Sequence, residues 1–257
     1  MAAASPALEG GVFVDNDPDM CAQLVAKSIP GLTTIQANQT AQEVALISVM
    51  KPAFSEFGDT NSYLNALRTT YEDQEVPYDS ASGITEEQFG LIFTELGKLP
   101  GSAKFAIFDW DRTITKFEGW LAESSVLEDM AKPKPESAAL RKDLLLFICG
   151  GSERLEMIKT NINRLIGEGV AVFVMTNNSG CGKPDFTNLV AELDPRIKII
   201  CSRSYNKNKG EAFVKSGFFK VPAPKGGYRK NRVTRNRKFA GGRRSTRRQR
   251  VNRKRRL

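Results

Sequence analysis

The residues with the clearest chemical potential are two aspartates that follow an apolar run. Asp109 and Asp111 come directly after Phe105–Phe108, four residues with no polar face. Such a run is typical of a central strand in a parallel sheet, and open parallel sheets place their sites just beyond the carboxyl ends of the strands. Both carboxylates can point into one crevice if the chain leaves extended geometry there. The alternative is a pair of loop aspartates that form caps or turns.

The sequence contains no histidine, and this narrows the chemistry that the aspartates could serve. It excludes Ser-His-Asp and Cys-His catalysis, zinc sites with histidine ligands, and proton transfer by an imidazole. Acid–base work must therefore fall to carboxylates, lysines, tyrosines or cysteines.

Polar side chains also follow two later apolar runs. Thr176 and Asn177 follow the first run, Val170–Met175. The second run, Ile197–Cys201, is followed by the predicted start of a helix, which contains Lys207 and Lys209. A threonine after a strand carries little information alone, and a lysine at a helix start is often a solvated surface charge. Of the two lysines, Lys209 is the preferred candidate.

A second group of acids lies near the N-terminus, after the apolar residues 12–14. Asp15, Asp17 and Asp19 have the spacing that begins an EF-hand calcium loop. That loop needs glycine at its sixth position and glutamate at its twelfth, where this chain has Met20 and Ala26. The EF-hand is therefore excluded, and an Asx turn with a helix cap at Asp17 remains as the simple alternative.

The elements around these residues alternate short apolar runs with helical patterns, which predicts an α/β architecture. Strands are predicted at 12–14, 32–35, 105–108, 170–175 and 197–201, with helices at 17–28, from 85, from 152 and at 210–216. Residues 39–100 are expected to be mostly helical, and 116–148 to form two short helices interrupted by prolines.

The clearest helix signal is at residue 85. Thr85 and Gln88 form a predicted capping box, and Ile84 and Phe89 are placed as a hydrophobic staple. The helix should begin there and turn an apolar face toward the core.

The strand ends together resemble the sequence motifs of the haloacid dehalogenase-like (HAD) superfamily. Asp109, Asp111 and Thr113 match its first motif, D-x-D-x-T after a hydrophobic strand. Thr176 at the end of a later strand looks like the second motif, and Lys209 looks like the third. The resemblance covers about residues 10–36 and 103–218, and it implies a Rossmann-like parallel sheet with helices on both faces.

The fourth motif of the family, a strand that ends in acidic metal ligands, resembles the N-terminal segment. No acidic residue follows Glu211, whereas Asp15 and Asp19 have the required spacing after an apolar strand. The simplest explanation is a circular permutation that moved the fourth motif to the front. It predicts that the strand ending at Asp15 lies parallel to, and directly beside, the strand ending at Asp109.

The resemblance implies phosphoryl transfer through an aspartyl-phosphate. Asp109 would attack the phosphorus, and Asp111 would protonate the leaving oxygen and later deprotonate the attacking water. Mg²⁺ would be held by Asp109, Asp111 through its backbone carbonyl, and Asp15, with Asp19 as a further ligand or an orienter of ligands.

Other positions carry the remaining roles that the resemblance implies. Thr176 and Asn177 would bind phosphoryl oxygens, and Lys209 would offset the charge of the phosphate and the nucleophile. Family members that act as dehalogenases lack a carboxylate at the position of Asp111, so phosphatase chemistry is favoured. Arg112 stands where the family often has glycine or asparagine.

The predicted organisation has one α/β domain and a tail. Residues 1–219 form the domain, in which 10–36 carry the fourth motif, 37–102 a helical connection, and 103–219 the first three motifs. A small helical cap at 116–150 would leave the site open, which favours a macromolecular phosphate as substrate, although 37–102 could also cover the site. Residues 220–257 are expected to be disordered in isolation.

The basic charge of the chain is concentrated in that tail. The net charge is +9, but residues 220–257 hold 17 of the 38 lysines and arginines and none of the 29 acidic residues. The remaining residues thus have 21 basic and 29 acidic groups, a net of −8. We expect the tail to bind nucleic acid without sequence specificity, through clusters that comprise Arg243, Arg244, Arg247, Arg248, Arg253, Lys254, Arg255 and Arg256. A targeting signal, or an arm that docks on the acidic domain, remains an alternative.

Cysteine spacing and the N-terminal residues favour an intracellular protein. The four cysteines are widely spaced, without a C-x-x-C pair, which favours a reducing compartment over a disulfide framework. The first residues lack the basic and apolar regions of a signal peptide, and the longest apolar runs are too short to span a bilayer. A cytoplasmic or nuclear location and no membrane partner are expected.

Two functions from different classes fit these patterns. The first is a magnesium-dependent HAD phosphatase with a nucleic-acid-binding tail. The alternative is a non-catalytic protein of HAD fold that binds nucleic acid or assembles with a virion or ribonucleoprotein. Because all the motif positions are filled, the enzyme is the favoured hypothesis.

Overall fold

The computed structural model describes residues 8–37, 62, 65, 66, 83–116 and 135–219. The predictions for the cap residues 117–134, for the basic tail 220–257 and for most of 38–82 lie outside the described residues.

A five-stranded, wholly parallel sheet forms the centre of the described chain, with the strand order β2-β1-β3-β4-β5. The strands are β1 (Gly10–Asp15), β2 (Leu32–Gln36), β3 (Lys104–Phe108), β4 (Ala171–Thr176) and β5 (Lys198–Cys201). The helices are α1 (Pro18–Val25), α2 (Glu86–Lys98), α3 (Pro135–Ile148), α4 (Ser152–Gly167), α5 (Pro184–Ala191) and α6 (Lys209–Lys215).

Helices cover both faces of this sheet, because alternate residues of each strand point to opposite sides. On one face, Val14 and Phe108 pack in a core cluster with side chains of α2, α3, α4 and α5. On the other face, Phe13 and Ile107 pack with side chains of α1 and α6 and with Phe219. The predicted class, an open parallel α/β sheet compatible with a Rossmann-like fold, is confirmed.

The permutation hypothesis depends on how β1 and β3 pair. β1 pairs with β3 in parallel, with Val14 opposite Phe108 and a hydrogen bond of 2.8 Å from Asp109 N to Val14 O. The prediction that the strands ending at Asp15 and Asp109 are parallel neighbours is confirmed. Both aspartates therefore lie at the same edge of the sheet.

The helix predicted to begin at Thr85 has the expected cap. Thr85 Oγ1 accepts a hydrogen bond from Gln88 N, and Gln88 Oε1 accepts one from Thr85 N, which completes the capping box. Ile84 and Phe89 are both fully buried. Gln88 also donates to the backbone carbonyl of Gln36, so this helix is tied to the end of β2.

The second half of the predicted cap belongs to the main core instead. Leu144, Leu145 and Phe147 of α3 are buried in the same cluster as the strands, and Arg141 pairs with Glu192 at 3.2 Å. None of the residues that line the site described below lies on α3. The described part of the insert is therefore a supporting helix of the domain.

The structure contains a disulfide that the cysteine spacing did not predict. Cys181 and Cys201 are bonded although they are 20 residues apart in the sequence, whereas Cys21 and Cys149 are buried free thiols. The cause is the sheet register, since β4 and β5 pair with Thr176 opposite Cys201. This register brings the end of β5 beside the loop that follows β4.

Within the described residues, no helix combines the length and the apolar character needed to cross a lipid bilayer.

Candidate active site

A cavity of about 210 Å³ opens where β1, β3 and β4 end. Carboxylates, amides and two cationic side chains make up most of its described lining, in which the structure places Asp15, Asn16, Asp17, Met20, Asp109, Asp111, Arg112, Asn177 and Lys209. These residues come from segments far apart in the sequence. The sheet brings them together because parallel strands end at a common edge.

Lys209 joins the two central carboxylates of this cavity. Its Nζ lies 2.6 Å from Asp15 Oδ2 and 2.7 Å from Asp109 Oδ1, and the three side chains are all at most 9% exposed. Lys209 is the first residue of α6, whose N-cap Asn208 accepts a hydrogen bond from Glu211 N. The structure therefore brings Lys209 to the site.

Lys207, the other lysine considered from the sequence, does not line the cavity. It is exposed, and its backbone lies in the left-handed region with φ of 60°. Only its carbonyl approaches the site, where it accepts a hydrogen bond of 3.4 Å from Asn177 Nδ2.

Burial and mutual charge set the protonation behaviour of this cluster. Burial, together with the negative charge of Asp109, raises the pKa of Asp15 to about 7, against the opposing effect of Lys209. Burial likewise raises the pKa of Asp109. For Lys209, burial lowers the pKa, but the two carboxylates outweigh it and hold the pKa above its usual value. Lys209 therefore remains positively charged, and its charge compensates the negative charge of the two neighbouring carboxylates.

Asp111 is held by an amide from the neighbouring strand. Asn178 Nδ2 lies 3.2 Å from both Oδ1 and Oδ2 of Asp111. Asn178 is itself fixed, since its Oδ1 accepts a bond of 2.8 Å from Gly180 N and its own N donates to Thr176 Oγ1 at 3.0 Å. Sequence reasoning assigned no role to Asn178.

The turn after β3 gives Arg112 a left-handed backbone conformation. Its φ is 60°, a value that costs non-glycine residues energy, and its side chain lines the cavity. The turn is tied to the end of β1, because Asn16 N donates to Thr113 Oγ1 at 3.0 Å. Arg154 Nη1 and Nη2 donate to the carbonyls of Ile114 and Thr113 at 2.7 and 3.0 Å.

The two predicted phosphate ligands after β4 differ in their access to the cavity. Asn177 lines it, and its Oδ1 accepts a 2.6 Å hydrogen bond from the Ser202 hydroxyl. Thr176 is fully buried and does not appear in the lining. Its Oγ1 accepts the hydrogen bond from Asn178, which leaves its own hydroxyl hydrogen available for donation.

Asp19, predicted as a metal ligand, does not line the cavity. It is exposed in the first turn of α1, and its N donates to the N-cap side chain of Asp17 at 2.8 Å. Asp17 lines the cavity instead, and its N donates to Asp15 Oδ1 at 2.9 Å. Capping the helix therefore places Asp17, and not Asp19, beside Asp15.

The donor chemistry of the cavity suits a hard divalent cation. Among the described residues, its lining has four aspartates against one lysine and one arginine, a formal imbalance of two negative charges. Carboxylate oxygens are the ligands that Mg²⁺ prefers. In the described part of the chain, however, no three acidic, cysteine or histidine side chains already converge as a metal-binding group. Lys209 Nζ occupies the position between Asp15 and Asp109.

Sequence reasoning found the strand-end acids and the lysine, and it missed the residues that fix them. Asn178 carries a weak signal, as the second amide after a strand end. Asn16 and Arg154 carry none, since their partners lie 97 and about 40 positions away in the sequence.

Comparisons with protein-family models, with curated proteins and with solved structures find no match to this chain.

Proposed function

We propose that this chain is a magnesium-dependent phosphohydrolase of the HAD type, circularly permuted, that acts through an aspartyl-phosphate on a macromolecular phosphate. The observation that supports it most is the buried contact of Lys209 with both Asp15 and Asp109, across 194 positions between Lys209 and Asp15. A cation between two acids at the end of a parallel sheet is suited to balancing a nucleophile and a phosphate.

In the proposed reaction, a carboxylate oxygen of Asp109 attacks the phosphorus, and the bond from phosphorus to the leaving oxygen breaks. Asp111 donates its proton to that oxygen. A water then attacks the phosphorus of the acyl phosphate and gives a proton to Asp111, which frees inorganic phosphate and regenerates the Asp109 carboxylate. Asp111 suits this role because it lines the same cavity as Asp109.

Phosphoryl oxygens have several donors at the same edge. Lys209 Nζ is already at Asp109, and the Asn177 side chain lines the cavity. Thr176, the buried residue before Asn177, has its hydroxyl hydrogen available for donation. Arg112 adds a second positive charge to the lining.

Mg²⁺ would be held by Asp15, Asp109 and the backbone carbonyl of Asp111; Asp17 also lines the cavity, whereas Asp19 does not. The ion supplies charge neutralisation for the phosphate when it is bound. The charge imbalance of the lining supports this assignment.

A macromolecular substrate is favoured by the described part of the predicted cap, which leaves the cavity uncovered, and by the tail. None of the lining residues comes from the described part of the insert at 116–150. A tail with 17 lysines and arginines and no acid is suited to retaining the enzyme on a polyanion such as nucleic acid.

The test is hydrolysis of p-nitrophenyl phosphate by the full-length protein, with Mg²⁺ and with EDTA. We expect Mg²⁺-dependent turnover that EDTA removes and that Asp109→Asn lowers by at least about 10³-fold. Asp143→Asn, on the exposed face of α3, is the matched control and should retain full activity. Turnover equal to the Asp109→Asn background would contradict the proposal and favour the non-catalytic nucleic-acid-binding protein.

A further inference from the structure

We infer that Asn178 is a positioning residue for Asp111, and that it decides how well the site cleaves phosphates whose leaving oxygen is strongly basic. This inference rests on the proposed phosphatase function. It extends that function to a substrate class, alkyl phosphate esters, which depend on proton donation to the leaving oxygen.

The Asn178 amide restricts the carboxylate of Asp111. One amide nitrogen of Asn178 lies 3.2 Å from each carboxylate oxygen, so the amide favours the positions of the carboxylate in which both oxygens stay within hydrogen-bond distance of it. The terminal torsion of an aspartate is otherwise broad, without a strongly preferred angle. Asn178 therefore narrows the directions in which Asp111 can present a proton.

The orientation of the Asn178 amide is fixed by its other end. Gly180 N is a donor and lies 2.8 Å from Asn178 Oδ1, so that atom must be the acceptor oxygen. The NH₂ group then faces Asp111. With only 7% of Asn178 exposed, water competes little for these bonds.

The residue also links the two sides of the cavity. Asn178 follows β4, whereas Asp111 follows β3, and 67 positions separate them. The backbone N of Asn178 donates to Thr176, the predicted phosphate ligand. Asn178 therefore contacts both Asp111, the proposed proton donor, and Thr176, which would bind the phosphate.

Protonation matters most when the leaving oxygen is basic. A nitrophenolate leaves readily without a proton, whereas an alkoxide needs one in the transition state. A misplaced acid should therefore slow alkyl phosphates selectively, and kcat/KM reports this step because it ends with the first irreversible bond cleavage.

The experiment compares kcat/KM for p-nitrophenyl phosphate and for a simple alkyl phosphate, with full-length protein in Mg²⁺. For Asn178→Ala we expect a loss on the alkyl phosphate at least about tenfold greater than the loss on p-nitrophenyl phosphate. Asp111→Asn should show the same selectivity, and adding Asn178→Ala to it should lower the alkyl rate no further. Asn163→Ala, an exposed asparagine that accepts a bond from Arg196, is the control and should change neither rate.

A second variant protects the test against misfolding. Asn178→Leu keeps the approximate size of the side chain and adds no charge but loses the donor to Asp111, so it should show the same selective loss. Equal losses on both substrates, or no loss on either, would overturn the positioning role while leaving the phosphatase intact. Absence of turnover by the wild-type protein would instead overturn the proposed function, and this inference with it.

Discussion

Lys209 is the residue that holds the candidate site together. Its side chain is 3% exposed and contacts Asp15 and Asp109, both of which are nearly or fully buried. Taking three charges out of water is costly unless each is compensated, and here one cation serves two acids. Removing the lysine would leave two buried carboxylates that repel each other.

Substitution of Lys209 should therefore lower the stability of the folded protein. Lys209→Met should lower the free energy of unfolding by about 3–5 kcal/mol at neutral pH, because the two buried carboxylates must then either stay charged without a partner or take up protons. Lys215→Met on the same helix removes only an exposed pair with Glu211 and should cost less than about 1 kcal/mol. Urea unfolding of both variants measures the difference, and equal effects would contradict the buried network.

Individual residues were predictable where position alone decides their role. Asp15 and Asp109 follow apolar runs, so their place at the sheet edge follows from the strands. Asp17 could not be preferred to Asp19 from the sequence, because the choice depends on how the helix cap directs each side chain. Asn178 was missed because its partner is distant in the chain.

At the scale of elements, the three central strands β1, β3 and β4 were predictable because each is largely an apolar run that the sheet buries. β3 and β4 are almost wholly buried, as their lack of a polar face indicated. α5 was missed, although Pro184 at its first turn and the buried residues Phe186 and Leu189 are a short helical signal. The packing of α3 in the core could not be read from its sequence, because its helical periodicity is weak.

Arg154 of α4 stabilises the turn that carries Asp111 and Arg112. Its guanidinium donates to backbone carbonyls of three segments, those of Thr113 and Ile114, of Cys149 and of Ile84. Bonds from a charged donor to backbone oxygens are stronger than neutral ones.

Arg154→Met should therefore lower the free energy of unfolding by roughly 3 kcal/mol, since buried carbonyls lose a charged donor. The matched control is Arg164→Met on the same helix, where an exposed pair with Glu168 and a contact with the Phe93 ring are lost. It should cost about 1 kcal/mol or less. Thermal and urea unfolding compare the two, and an Arg154 effect no larger than that of Arg164 would contradict the supporting role.

At the scale of the whole molecule, the chain separates its charges. The 38 basic and 29 acidic residues give +9, but 17 of the basic ones lie in 220–257, and the preceding residues carry a net −8. This division was evident from the sequence. An acidic domain and a basic tail suit a protein that uses one part for chemistry and the other for attachment to a polyanion.

Truncation after Phe219 tests that division. It keeps Phe219, which stacks on Phe213 at 4.1 Å in the core, and removes the tail. We expect nucleic-acid affinity to fall steeply with salt in the full chain, because each phosphate contact releases counterions, and to be lost in the truncated one. Hydrolysis of p-nitrophenyl phosphate should be unchanged. Equal affinity with and without the tail, across a salt series, would contradict the assignment.

The central claim is that Asp109 becomes covalently phosphorylated. Acid quenching during turnover, followed by peptide mass spectrometry, measures this directly, with Asp111→Asn used to slow hydrolysis of the intermediate. We expect one added phosphoryl group on Asp109, in the peptide that contains it, and no such adduct in Asp109→Asn. Turnover without an adduct on Asp109, or an adduct on a different residue, would contradict it.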